Sequence, residues 1–263
     1  WGISTLIMAM SCSDSFLDRT PRGTLVEEQL LTPKNVEKMV IAAYAAQGNE
    51  SYQNEPLSPW PYGDLRGGDS YKGGAGIGDG ANWHIAETFA NMTTDDAGVL
   101  GKWRVEYNTI SKANLALGML NKIDESDFPA KSSRIAEMRF LRANNYFWLK
   151  VNFKHVPFLD ENVPPHEHIT VGNELTDQEL WGKIVEDFRF AIQHLPTVHN
   201  DGAVGRPTQY AAKAYLAKVL LFAAYEQDDQ HQLTTVSQQK LEEVVTLTRD
   251  VIENSGKELF PDF

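Results

Sequence analysis

The chain has 263 residues, 42% of them hydrophobic, and carries 36 acidic against 24 basic side chains for a formal net charge of -12. That balance excludes a nucleic-acid partner, whose phosphates demand clustered Lys and Arg, and a single cysteine excludes a disulfide framework or a cysteine-rich zinc site. The fold must rest on buried apolar surface, and this length supplies enough for one or two domains.

In chain order, the first element is an apolar run, Leu6-Ile7-Met8-Ala9-Met10-Ser11, that ends in a small residue directly before Cys12. Positions 1–11 give about 17 Å of helix at ~1.5 Å per residue, roughly half of a ~30 Å hydrocarbon core, so they cannot span a bilayer. They read as the remnant of a signal peptide cut at Trp1, with Cys12 as a lipidation site opening a leader over residues 12–31. Residues 32–263 then form a helical domain.

Thr32-Pro33 writes a helix start, an N-cap oxygen before a proline at the first helical position, with Leu31 and Val36 placed as a hydrophobic staple. The helix runs to about Gln47 and stops at Gly48 in the manner of a glycine cap. From Asn49 to Gly80 the pattern breaks into a stretch rich in glycine and proline that carries Tyr52, Trp60, Tyr62 and Tyr71. A connection that long is functional more often than it is passive, and aromatics without a charge run suggest a binding loop rather than a linker. Asp95-Asp96 precede the next helix as an N-cap.

Two amphipathic stretches follow, about 101–123 and 130–153, which should pair as an antiparallel hairpin. Thr176-Asp177-Gln178-Glu179 is a capping box, opening a helix that ends at Leu195-Pro196. Residues 208–226 are alanine-rich, which lets neighbouring helices come close, and Ser237 opens a last helix closed by Gly256. The expectation is a mainly all-α fold of stacked helix pairs, tetratricopeptide-like but divergent because no fixed period holds, with little β structure.

An ordered series of motifs resembles the SusD/RagB family of surface lipoproteins. Cys12-Ser13-Asp14-Ser15-Phe16-Leu17-Asp18, Pro21 and a first helix ending in Ala42-Ala43-Tyr44 resemble its opening, and Leu65-Arg66-Gly67-Gly68-Asp69 its early glycine-aspartate loop. Trp103, Tyr107, Ile110, Ala113 and Asn114 resemble its W…Y..I..AN helix. Glu137-Met138-Arg139-Phe140-Leu141-Arg142-Ala143 with Tyr146-Phe147 resembles its most specific signature, and Val156-Pro157-Phe158 its short G-vPl element, although Lys154-His155 stand where Phe-Gly or Tyr-Gly is usual. Gly205-Arg206-Pro207-Thr208 and the alanine-rich helix complete the order.

The resemblance implies a glycan-capture lipoprotein on the outer face of an outer membrane, seated as a lid over a SusC-type TonB-dependent transporter, binding without catalysis and without a cofactor. Family members are about twice as long, so the chain reads as an N-terminal half whose partner half supplies part of the ligand surface. Some relatives take peptides, so the ligand is an oligosaccharide or a peptide. Asn82-Trp83 sits where the family often carries an aromatic ligand contact, which makes Trp83 the leading residue for stacking on a sugar ring. Trp60, Tyr62 and Tyr71 join it from the loop, with Asp69 and Asn82 as hydrogen-bonding neighbours. Stacking that buries about 100 Å² contributes about 2–3 kcal/mol before ordering costs. Trp103, Trp148 and Trp181 lie on predicted helices and belong to the core.

Enzyme readings are weaker. Glu137, Arg139 and Arg142 are expected to form a structural ion-pair network that clamps helix pairs, since buried charges must be paired. Gly76-Ile77-Gly78-Asp79-Gly80-Ala81 matches GxGxxA without the strand that a dinucleotide site requires, and as a calcium loop it is a single copy. His166-Glu167-His168 lies in a proline loop without HExxH and is expected at the surface, so no metal site is assigned. A helical scaffold that binds only protein is the alternative class, and a glycoside hydrolase a more distant one.

Overall fold

The computed structural model describes residues 31–48, 60–200 and 202–259. Cys12, the leader and Tyr52 lie outside the described residues. Six long helices carry the architecture: α1 (Pro33–Gln47), α4 (Ala97–Lys122), α5 (Lys131–Phe153), α6 (Asp177–His194), α7 (Gln209–Ala224) and α8 (Gln238–Asn254). Two short ones, α2 (Asp64–Gly67) and α3 (Ala81–Thr88), precede α4, and a 3-10 turn spans Pro165–Thr170. The long helices pack in succession, α1 on α4, α4 on α5, α5 on α6, α6 on α7 and α7 on α8. This is the stacked-pair fold expected.

The helix starts are local and follow the predicted caps. Thr32 accepts from the Asn35 amide at 3.3 Å and Ser237 from Lys240 at 3.4 Å, while Thr176 and Glu179 complete the reciprocal capping box. Asp96 accepts from the amides of Gly98 and Val99 at the start of α4, at 3.0 and 3.3 Å. Gly48 differs from expectation: its φ is -93°, and it stops α1 through an ordinary amide bond to the Tyr44 carbonyl at 2.8 Å rather than through a left-handed cap.

α5 lies between α4 and α6, so it is buried around most of its circumference. Met138, Leu141, Tyr146 and Leu149 face the core, and so do polar Glu137, Arg142, Asn145 and Lys150. Buried polar groups need partners, and the motif residues Tyr107, Asn114 and Tyr146 find theirs on the backbone that follows α5. Tyr146 donates to the Leu159 carbonyl at 3.0 Å and accepts its amide at 2.6 Å, Asn114 donates to the same carbonyl at 2.9 Å, and Tyr107 donates to Pro157 at 2.6 Å. The Tyr107 and Asn114 positions of one helix motif therefore pin the Val156-Pro157-Phe158 segment.

The single ion-pair network expected of Glu137, Arg139 and Arg142 resolves into two. Glu137 binds Arg134 at 2.7 Å, Arg206 and the Tyr44 hydroxyl at 2.9 Å, and Glu37 bridges the same two arginines. This ties α1, α5 and the start of α7 together. Arg142 makes a bidentate pair with Asp187 at 2.7 and 2.9 Å and also binds Glu161 and Asn114, with Arg139 3.6 Å from Asp187. The spacing along α5 hid the split: positions 137 and 142 face different neighbours.

A β-hairpin follows α7 directly, β1 (Tyr225–Gln227) against β2 (Leu233–Val236), antiparallel with a bulge between Glu226 and Gln227. The helical reading to residue 226 missed it. Leu233-Thr234-Thr235-Val236 carries the β-branched composition that would have announced it. No described helix is long and apolar enough to cross a membrane.

Candidate functional site

Of the predicted aromatic residues, Trp60, Tyr62 and Trp83 gather at the start of α4. Gly80, with φ +70°, turns the chain into α3 and places the Trp83 indole back over it, so that a Cβ at Gly80 would stand 3.0 Å from the ring. Trp60 meets Trp83 edge-on, with ring centroids 6.4 Å apart at 71°. Tyr62 donates to the Gly98 carbonyl at 2.5 Å. Burial pushes the Tyr62 phenol well up, and the nearby Asp96 adds to the shift. The hydroxyl is therefore a fixed donor at any physiological pH.

Gly98 is what allows this approach: a Cβ there would lie 3.3 Å from the Tyr62 hydroxyl and 3.6 Å from Trp83. Gly98→Val is expected to lower stability by about 1–3 kcal/mol through overpacking and to alter the near-UV circular dichroism of the aromatic cluster. Gly98→Ala should do less on both counts. An unchanged near-UV spectrum in the valine variant would contradict the close contact.

Exposure sorts the predicted residues. Trp83 is 8% exposed, so little of its ring is open to a sugar in this conformation, and it serves as the base on which Trp60 and Tyr62 rest. Trp60, Tyr62 and Asn82 are half-buried. Tyr71 is 77% exposed and Asp69 is also exposed. The segment between them and α3 is held by Lys72, whose ammonium donates to the Gly76 and Asp79 carbonyls at 2.9 and 2.5 Å, and by the Asp79 carboxylate, which accepts from Ala75 at 2.9 Å. Asp79 is thus spent on its own turn rather than on a cation.

Two residues of this site carried no sequence signal. Lys102 and Glu106 form a 2.6 Å pair that is almost completely buried, and the ammonium lies 5.6 Å from the Tyr62 ring centre and 5.2 Å from that of Trp148. An i,i+4 Lys–Glu pair reads from sequence as a solvated helix face. Here Tyr62 from the loop and Trp148 from α5 both lie against the ammonium. Among the described residues no cluster suited to a metal is present, and His166 and His168 lie on the 3-10 turn, with His168 bonded to the Val163 carbonyl at 3.1 Å. Cavities of about 730, 420 and 250 Å³ lie elsewhere and are lined by other residues.

A SusD-like family model, described as starch-binding associating with outer membrane, matches residues 15–221. The chain belongs to the SusD-like family. A SusD-like protein of Bacteroides ovatus is 27% identical over 99% of the chain and 45% of its own length, and SusD-like protein P2 of Formosa agariphila is 28% identical over 83% of the chain and 42% of its own. Among solved structures, a protein crystallised with a xylogluco-oligosaccharide superposes with a TM-score of 0.66 at 25% identity, covering 86% of the chain and 41% of that structure. A laminarin-binding SusD-like protein superposes with a TM-score of 0.68 at 23% identity, over 87% and 46%, and shares the fold. The SusD-like chain thus spans less than half the length of these relatives.

Proposed function

We propose that this SusD-like chain is the helical part of a surface lipoprotein that captures an oligosaccharide and delivers it, as a lid, to a SusC-type TonB-dependent transporter, without catalysing any reaction. The observation that carries the binding reading is the aromatic cluster set on a glycine-built loop at the start of α4, in a chain whose SusD-like relatives include a laminarin binder by name. In this reading Tyr71 and Trp60 offer ring faces to a pyranose, Trp83 holds Trp60 in place, and Asp69 and Asn82 supply hydrogen bonds. Cys12 would anchor the protein to the outer membrane through a lipid.

Native affinity electrophoresis in gels containing laminarin, xyloglucan or starch tests the reading. Retardation by at least one polysaccharide is expected, with Tyr71→Ala and Trp60→Ala each weakening it about tenfold, the worth of one lost stacking contact. A full-length protein that none of the gels retards, or one whose retardation both variants leave unchanged, would sink it. Product release from a retained polysaccharide would instead point to hydrolysis.

A further inference from the structure

A cavity of about 420 Å³ opens where the C-terminal end of α5, the N-terminal end of α6, the end of α7 and the β-hairpin meet, away from the aromatic loop. That volume falls in the range of small-molecule sites. Its apolar wall is Trp181, Phe222 and Tyr225, the latter two 44% and 47% exposed. Its polar groups include two ammonium ions, Lys150 in the last turn of α5 and Lys154 at the residue that caps it.

Lys150 is 4% exposed, and among the described residues its ammonium has one hydrogen-bond acceptor, the Asp177 carboxylate, beside the Trp181 ring centre at 5.2 Å. An ammonium has three donors, and this partner uses one of them. Lys154 is held by the Asp228 carbonyl of the hairpin turn, whose carboxylate is already engaged by the amides of Gln230 and Gln232. Two ammonium groups thus meet at this cavity, one paired with the Asp177 carboxylate and the other held by a backbone carbonyl.

The backbone gives an independent sign. Lys154 sits at φ +61°, ψ -66°, with the His155 amide 2.7 Å from the Phe153 carbonyl, the strained form of the γ-turn. His231, across the cavity on the hairpin, has φ +61°. Two of the four described non-glycine residues with positive φ line this one cavity, and such strain persists where surrounding structure holds a side chain in place for use.

We infer that this cavity is a separate binding site for a saccharide unit bearing a carboxylate, its ring laid on the Trp181–Tyr225 wall and its carboxylate received by Lys150 and Lys154. Burial and the neighbouring Lys154 both push the Lys150 ammonium down, against the pull of Asp177, and an arriving anion relieves that conflict. The ring wall alone would accept neutral sugars; the paired ammonium groups select the acidic one.

Isothermal titration of the SusD-like protein with digalacturonate and with its carboxyl-reduced digalactoside tests the inference. Digalacturonate should bind at least about tenfold more tightly, with the gap narrowing as salt is raised. Lys154→Gly, which removes the ammonium while relieving the strained turn, and Tyr225→Ala, which removes a wall ring, should each cut digalacturonate affinity about tenfold with the thermal midpoint held or raised in the glycine variant. Equal binding of the two disaccharides, binding indifferent to both variants, or no binding of either would overturn it. Retardation in polysaccharide gels that depends on Tyr71 would survive any of those results, so the capture reading can stand while this one falls.

Discussion

Arg142→Ala is expected to lower the unfolding free energy by on the order of 3–5 kcal/mol, the range for removing one partner of a buried ion pair. Arg142 and Asp187 are both 3% exposed, and the guanidinium also satisfies Glu161 and Asn114, so the truncation strands two carboxylates and an amide oxygen at once. Burial already pushes the Asp187 carboxyl above the ordinary carboxylate range, and the Arg142 guanidinium is the main force pulling it back. Without that guanidinium the Asp187 carboxyl of the folded variant rises further above its unfolded value, with Arg139 left to oppose the effect of burial. A folded value raised above the unfolded one gives stability that is present at low pH and lost as pH rises. The deficit of Arg142→Ala should therefore be largest near pH 8 and shrink toward pH 4, as read by urea denaturation. The double variant Arg142→Met with Asp187→Leu should recover only part of the loss, because the bidentate pair is replaced by apolar groups while Glu161 and the Asn114 amide oxygen still lack the guanidinium. A single variant that unfolds at the same urea concentration as the parent at pH 8 would contradict the buried network.

Why this arginine matters was only half visible in the chain. The signature over 137–147 marked Glu137, Arg139 and Arg142 as structural charges, but Asp187, Glu161, Arg206 and Glu37 come from elements far away in sequence. Helix starts were legible because an N-cap involves atoms three residues apart: Thr32, Thr176 and Ser237 each bond within their own first turn. The positions of Tyr107, Asn114 and Tyr146 were legible as a pattern, yet their task of holding the backbone at 157–159 was not. The same limit applies to the loop. Its aromatics could be named from composition, but which ring ends up covered depends on Gly98 lying under Tyr62 and Trp83. The β-hairpin escaped for another reason, since three- and four-residue strands are too short for alternation to stand out beside a strongly helical run.

Glu106→Gln is expected to change the pH dependence of stability, gaining on the parent as pH rises. Glu106 is 1% exposed, one of its oxygens pairs with Lys102 at 2.6 Å and the other has no hydrogen-bond partner among the described residues. Burial pushes its carboxyl up to about 7, against the pull of Lys102. The folded value lies above the unfolded one, so the proton stabilises the fold fully below about pH 4.5, and that contribution is lost as pH rises through 7. The glutamine variant keeps a neutral group of the same shape at every pH. Relative to it, the parent should lose on the order of 3 kcal/mol between pH 4 and pH 8, about 1.4 kcal/mol for each unit of displacement. Urea midpoints of both proteins at the two pH values measure the difference of differences, which cancels every other titrating group. A gap that stays constant would mean that the pull of Lys102 cancels the effect of burial and leaves the carboxyl at its unfolded value, and a parent that gains stability over the glutamine variant toward pH 8 would mean that Lys102 wins outright. The outcome reaches the aromatic loop as well, because the Lys102 ammonium lies against the Tyr62 ring. A carboxylate that charges near neutrality draws that ammonium toward itself, so the near-UV signal of the Tyr62 and Trp83 cluster should titrate with the same midpoint in the parent and stay flat in Glu106→Gln.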